Sequence, residues 1–194
     1  MLLFDMISPI YGLFFRSQED FYGEVLEKVS GEIDFNPQDS VLDIGCGTGA
    51  LCKAFYHRGL MPTGVDPSKG MLSQAKKKLR GLPIELIHID SGQSLPFPDK
   101  SFDIVIASYV AHGISGDERM GLYREMERLA RKLVIIHDYN ENRALLTSLV
   151  EWLENGDYFN FIKVAKEEMR EVFKNVSQID VGARAAWYIC RCTK

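Results

Sequence analysis

Between Ser40 and Asp138 the sequence repeats one unit: a short, almost unbroken apolar run, a turn, then a stretch with helical spacing. The runs are "SVLDIG", "PTGVD", "PIELIHID", "FDIVIAS" and "KLVIIHD", ending near Gly45, Asp66, Asp90, Ser108 and Asp138. Strands that lack polar alternation are buried on both faces, and strand–helix alternation builds parallel sheets. The pattern therefore predicts an α/β fold, a mostly parallel sheet covered by helices on both sides. "SQED", Ser17 to Asp20, has the spacing of a capping box and predicts a helix from there to about Ser30, with Phe21, Val25, Leu26 and Val29 on one face. Beyond the fifth run, helical spacing over 143–154 and 160–173 is followed by "VSQIDV" and "ARAAWYICRC". With only the neighbourhood of Gly182 between them, these two runs read as an antiparallel hairpin.

Bulk properties narrow the partners. The 194 residues suit one domain, and a net charge of -4 argues against a nucleic-acid backbone as the main partner. The one basic run, Lys76-Lys77-Lys78 with Arg80, falls at a helix end, where cations complement the helix dipole. Cys46, Cys52, Cys190 and Cys192 form no C-x-x-C pair, so free thiols in a reducing cytoplasm are expected and a zinc site is not. "MLLFDMISPIYGLFF" has no basic leader and is broken by Asp5 and Pro9. No apolar run approaches the ~20 residues that span a bilayer.

The loop Gly45-Cys46-Gly47-Thr48-Gly49-Ala50 follows the first strand, where open α/β sheets bind ligands. It satisfies G-x-G-x-x-G/A with Asp66 about twenty residues on, so a nicotinamide dinucleotide and its oxidoreductase chemistry have to be weighed. Against them stand the absence of Tyr-x-x-x-Lys, the lack of length for a substrate domain, and Asp43, an anion beside a loop that would cradle pyrophosphate. S-adenosylmethionine carries no phosphate. Glycine-loop amides suit its carboxylate and a nearby acid suits its ammonium.

"VLDIGCGTG" resembles the first motif of class I S-adenosylmethionine-dependent methyltransferases, and "GVDPS" and "HIDSGQSLPFPDKSFDIVIASYVAHGI" are similar to the next three. The resemblance, strong over 38–138, implies a Rossmann-like seven-stranded sheet ending in an antiparallel hairpin. By that likeness Gly45, Cys46, Gly47, Thr48 and Gly49 hold the methionine end with Asp43. Asp66 binds the ribose hydroxyls, and Pro67, Ser68 and Met71 flank the adenine. Asp90 accepts from the adenine amino group, Ser91 lies beside the ring, and Ser108 lies near the methionine part. "FDMISPIYG" is similar to the opening of the ubiquinone/menaquinone-biosynthesis methyltransferases, in which the segment folds over the cofactor. Tyr11 would make that contact, with Gly12 where those relatives carry Asp. Packing of an apolar helix on the core is an equal alternative. The Pro-Gly-Gly turn usual before the fifth strand is missing from "LARKLVII".

These implications divide residues 1–194, as one methyltransferase domain, into a helical cap (1–30), a cofactor core (38–138), a helical substrate cover (139–176) and the hairpin (177–194). His112 and Tyr109 are the candidate catalytic groups, with helix packing an equal reading of His112; His137, Asp138 and Tyr139 end the fifth strand. Trp152, Tyr158, Phe159 and Phe161 line an acceptor pocket or, preferably, pack helices together. The expected reaction is methyl transfer to a small-molecule acceptor. The alternatives are an NAD(P)-dependent oxidoreductase and a non-catalytic S-adenosylmethionine-binding accessory subunit. Monomer and homodimer are both open.

Overall fold

Each of the apolar runs becomes a strand in the computed structural model, which describes residues 8–9, 11–90, 92–141 and 158–192. They are β1 (Ser40–Ile44), β2 (Met61–Asp66), β3 (Glu85–His88), β4 (Phe102–Ser108), β5 (Ala130–Tyr139), β6 (Val176–Asp180) and β7 (Ala185–Arg191). The helices described over their whole length are α1 (Phe15–Val29), α2 (Ala50–His57), α3 (Lys69–Lys78), α4 (Gly116–Leu129) and α5 (Tyr158–Val172), with a 3-10 turn at Ala111–Gly113. The seven strands form a mixed sheet. No helix among the described residues is long and apolar enough to cross a membrane.

The chain divides into two compact units, Met1–Leu95 and Pro96–Lys194. The first holds the parallel strands in the order β3-β2-β1. Phe15, Cys46, Ala50, Cys52, Leu72 and Leu79 form its buried cluster, with Tyr22, Leu82, Ile84 and Leu86 packed around it. Here the structure corrects one expectation. Helix α1 starts at Phe15, two residues ahead of Ser17, and no side chain caps it. Burying a Phe ring is worth about 1.5–3 kcal/mol, against about 1 kcal/mol for an N-cap, so the buried Phe15 sets the helix start.

The second unit runs β4-β5-β7-β6, with β4 and β5 parallel and the β5–β7 and β6–β7 pairs antiparallel. A capping box opens α4: the Ser115 hydroxyl accepts from the Glu118 amide, and Glu118 accepts from the Ser115 amide at 2.9 Å. The missing Pro-Gly-Gly turn is replaced by no loop at all. Ala130 is at once the extended C-cap of α4 and the first residue of β5. Arg119 of α4 is fully buried and grips Glu168 of α5 through two bonds of 2.7 and 2.8 Å. Phe161, also fully buried, meets Tyr188 edge-on and lies under the Arg119 guanidinium, which supports the packing role preferred from sequence. Trp152 and the side chains of Tyr158 and Phe159 lie outside the described residues.

Candidate functional site

Three glycines shape the loop after β1, and all three have left-handed backbones: Gly45 (φ 75°), Gly47 (φ 54°) and Gly49 (φ 81°). Side chains rarely adopt this conformation. At Gly49 a Cβ would also come within 2.6 Å of Leu79, whereas at Gly47 it would meet nothing within 4 Å, so the left-handed backbone alone calls for glycine at 47. Gly49 is the N-cap of α2, whose first amides no side chain caps. Unsatisfied amides at a helix start suit a carboxylate. Thr48 faces inward, its hydroxyl 3.2 Å from the Gln18 side-chain oxygen on α1.

Asp43 lies within β1 rather than at its end, opposite Gly64 of β2, and is 1% exposed. Its Oδ2 accepts from the Cys52 thiol at 3.3 Å, and its Oδ1 has no hydrogen-bond partner. Burial pushes its carboxyl up to about 7, the Cys52 bond acts against that, and the negative charge of Asp66 adds to it. An orphaned buried carboxylate oxygen is costly unless something pairs with it. An ammonium group fits that requirement, and a pyrophosphate does not. Cys46 and Cys52 are buried free thiols held above the ordinary thiol range, and Cys46 Sγ occupies the space a Cβ on Gly64 would need, at 2.7 Å. The small residue at position 46 is thus a packing requirement.

Asp66, the last residue of β2, organises the loop. Its Oδ2 accepts from the Gly47 amide and its Oδ1 from the Ser68 amide, both at 2.8 Å. Ser68 in turn caps α3 by accepting from the Met71 amide at 3.1 Å. Met71 is buried and Pro67 half-buried. Asp90 is exposed, two residues past the end of β3, and Ser91 lies outside the described residues. Tyr11 is 37% exposed, and a Cβ on the adjoining Gly12 would stand 3.0 Å from the Gln74 amide oxygen of α3.

The candidate catalytic residues belong to the second unit. Ser108 ends β4, with its hydroxyl 3.1 Å from His137 Nδ1. Tyr109 follows with a left-handed φ of 55°, an uncommon conformation for a bulky residue, held by a 2.8 Å bond from its amide to the His137 carbonyl. His112 lies in the 3-10 turn, its Nδ1 2.8 Å from Asp138 Oδ1, and its own amide donates to Asp138 Oδ2 at 3.2 Å. The Tyr109 phenol is pushed up to about 12, by burial first and then by Asp138, with Arg184 acting the other way. Burial pushes His137 down to about 4. Sequence reasoning left Asp138 without a role. Its pairing with His112 follows from the β4–β5 register, Ser108 opposite His137, which no motif in one chain reveals.

The seven-stranded mixed sheet with its antiparallel C-terminal hairpin is the Rossmann-like fold of class I methyltransferases. Residues 41–132 match the methyltransferase domain family. An uncharacterized methyltransferase of Bacillus licheniformis is 30% identical over 82% of this chain and 75% of its own length. Another from Alkaliphilus oremlandii is 26% identical over 99% and 92%. Among solved structures, a putative S-adenosyl-L-methionine-dependent methyltransferase of Methanococcus maripaludis superposes with a TM-score of 0.75 at 17% identity, covering 98% of this chain and 94% of that one. The chain belongs to the class I S-adenosylmethionine-dependent methyltransferases, and it is an enzyme of that family.

Proposed function

We propose that this chain binds S-adenosylmethionine and transfers its methyl group to a small-molecule acceptor, with residues 1–194 acting as one methyltransferase domain in the cytoplasm. The observation that carries the reading is Asp43 Oδ1, a buried oxygen without a partner in β1, directly ahead of the glycine loop. It suits the ammonium of the cofactor, while the family motif assigns Gly45, Cys46, Gly47, Thr48 and Gly49 to the methionine end and the first amides of α2 suit its carboxylate. The rest of the cofactor falls to the residues its family motifs assign: Asp66 for the ribose, Pro67, Ser68, Met71, Asp90 and Ser91 around the adenine, Ser108 for the methionine part and Tyr11 as a cover. When bound, S-adenosylmethionine supplies an electrophilic methyl carbon whose leaving group is a neutral thioether. The protein's work is then to align the acceptor and exclude water. His112 and Tyr109 are the residues assigned to act on the acceptor.

Isothermal titration with S-adenosylhomocysteine and, separately, NADH tests the reading. Micromolar or tighter S-adenosylhomocysteine binding, lost in Asp43→Ala, is the expected result. Binding of NADH alone would return the chain to the oxidoreductase reading. S-adenosylhomocysteine release from an acceptor panel separates an enzyme from an accessory subunit.

A further inference from the structure

We propose that one flank of α3, beside β3, is a second ligand site, built for a small polyanion that carries two or more phosphate groups. The site lies within the first unit and stands whether or not the glycine loop binds S-adenosylmethionine.

A cleft of about 550 Å³ runs along this flank, lined by Lys69, Ser73, Lys76, Lys77 and Arg80, by His88 of β3, and by the buried Leu72. Positions 69, 72, 73, 76 and 77 fall on one side of a helix, so the cations from Lys69 to Lys77 extend over about 12 Å at about 1.5 Å per residue. Lys78 belongs to another side, over the Phe15 ring at 5.6 Å. The residues that line the cleft include no carboxylate. Glu85, the acid of β3, falls on the opposite sheet face from Leu86 and His88, because strand side chains alternate and Leu86 packs on the cluster that contains Leu72. His88 is held in place by its Nε2, which donates to the Pro67 carbonyl at 3.1 Å.

A solvated helix end does not account for this arrangement. The helix dipole favours Lys76 and Lys77 in the last turn and Arg80 just beyond it. Lys69, however, is the first residue of α3, where the dipole disfavours a cation. The helix itself has no Asp or Glu to pair with any of them. Elsewhere in this chain of net charge -4, lysines find acids: Lys53 holds Glu19, Lys100 holds Glu127 and Lys166 holds Glu141. Among the described residues, the side chains of Lys69, Lys76, Lys77 and Arg80 have no hydrogen-bond or ion-pair partner.

Shape and charge select the ligand. The cleft volume falls within the ~300–1,000 Å³ of small-molecule sites. A phosphate monoester carries about 1.5–2 negative charges at pH 7, so four cations balance about two such groups, and a row of them suits a chain of phosphates better than one ion. Lysines meet phosphate as point charges, Arg80 can take one phosphate through two parallel bonds, and the Ser73 hydroxyl adds a neutral donor. A lipid surface would call for apolar side chains that insert beside the cations. The large exposed apolar residues among those described are Tyr11, Leu13, Phe14 and Met61, and none lines the cleft.

Isothermal titration with inorganic tripolyphosphate tests the site. The wild type is expected to bind one equivalent with a dissociation constant of about 0.1 mM or below at about 0.15 M salt, unchanged by saturating S-adenosylhomocysteine. Orthophosphate should bind at least about tenfold more weakly. Lys76→Gln with Arg80→Gln should weaken tripolyphosphate binding about 10- to 100-fold. Lys163→Gln with Lys174→Gln, an equal change of charge at exposed residues of the second unit, should leave it unaltered. Lys69→Gln should weaken binding about tenfold yet melt no lower than the wild type, since it removes a cation that the helix start disfavours, and it decides the matter if the double variant folds poorly. Absence of binding, equal affinity for orthophosphate, equal weakening by the two double variants, unaltered binding by Lys69→Gln, or displacement by S-adenosylhomocysteine overturns the proposal. Tighter capture by phosphatidylglycerol vesicles or by single-stranded RNA, lost in Lys76→Gln with Arg80→Gln, overturns it as well, because the flank would then serve a macromolecular surface. If S-adenosylhomocysteine does not bind at all, the methyltransferase reading fails alone and the variants judge this site.

Discussion

The Cys52 thiol donates to Oδ2 of Asp43 across 3.3 Å, while Oδ1 of the same buried carboxylate has no partner. A carboxyl group in this state is half-provided for. One weak sulfur donor does not offset its desolvation, and its titration rises to about 7. Linkage then fixes the sign. Between the unfolded value near 3.9 and about 7, the folded chain holds a proton that the unfolded chain has lost, so Asp43's contribution to stability declines as pH rises through that window. An ammonium ligand favours the ionised form, so cofactor affinity rises with pH across the same range and binding releases a proton. Asp43→Asn is expected to melt higher than the wild type at pH 8 without ligand and to bind S-adenosylhomocysteine roughly 10- to 100-fold more weakly, the value of about 1.5–3 kcal/mol for a bond to a charged group. Thermal melts at pH 5 and pH 8, with and without ligand, read both effects. A variant that matches the wild type in both removes the ammonium assignment.

Asp66 has two jobs. It ties the loop to the start of α3 through the Gly47 and Ser68 amides, and under the proposed function it also receives the ribose hydroxyls. Asp66→Ala is expected to lower stability by about 1–3 kcal/mol, because two amides lose their acceptor, and to weaken cofactor binding by more than about 1 kcal/mol. Asp66→Asn should keep much of the stability and little of the affinity. Urea unfolding beside calorimetry separates the two roles. An Asn variant that binds like the wild type leaves Asp66 with its structural role only.

How far the sequence reaches is visible in these residues. Apolar runs without alternation are read correctly as parallel strands, though β3, at the sheet edge, has no fully buried residue, and the glycine spacing locates the loop, because both depend on neighbours in the chain. The start of α1 is misread, since a local capping pattern at Ser17 competes with burial of Phe15 in a cluster made by α2 and α3. The capping box that does form, Ser115 with Glu118, carries the S-x-x-E spacing and was there to be read. Cys52 beneath Asp43, Gln18 against Thr48 and Asp138 beneath His112 are separated by 9, 30 and 26 residues and depend on strand register and helix docking. Such contacts have no signature in a single chain.

In the second unit Arg119 and Glu168 make a paired, largely water-free bridge from α4 to α5, with the Arg119 side chain fully covered and that of Glu168 at 15% exposure. Removing one partner strands the other, so Arg119→Met or Glu168→Gln alone is expected to cost about 3–5 kcal/mol. Replacing both with apolar residues of similar size removes the desolvation along with the attraction. Arg119→Met combined with Glu168→Met should therefore recover most of the loss. Chemical denaturation of the two single variants and the double variant closes the cycle, and simple addition of the two losses would show that the residues do not act as a pair.

His137 is expected to contribute to the acid limit of this unit. Its ring is buried, its Nδ1 lies 3.1 Å from the Ser108 hydroxyl, and burial lowers its titration to about 4. The sign is opposite to that of Asp43. As pH falls from about 6.5 towards 4, the unfolded chain takes a proton that the folded chain refuses, so stability is lost on acidification before most carboxylates titrate. His137→Gln keeps an acceptor for Ser108 without a titrating ring. It is expected to flatten the decline in unfolding free energy between pH 6.5 and 4.5 while lowering the plateau at pH 7 through imperfect packing against Trp187, whose ring centroid lies 6.1 Å away. Urea midpoints measured across that range test this directly, since a slope unchanged from the wild type would assign the acid loss to other groups.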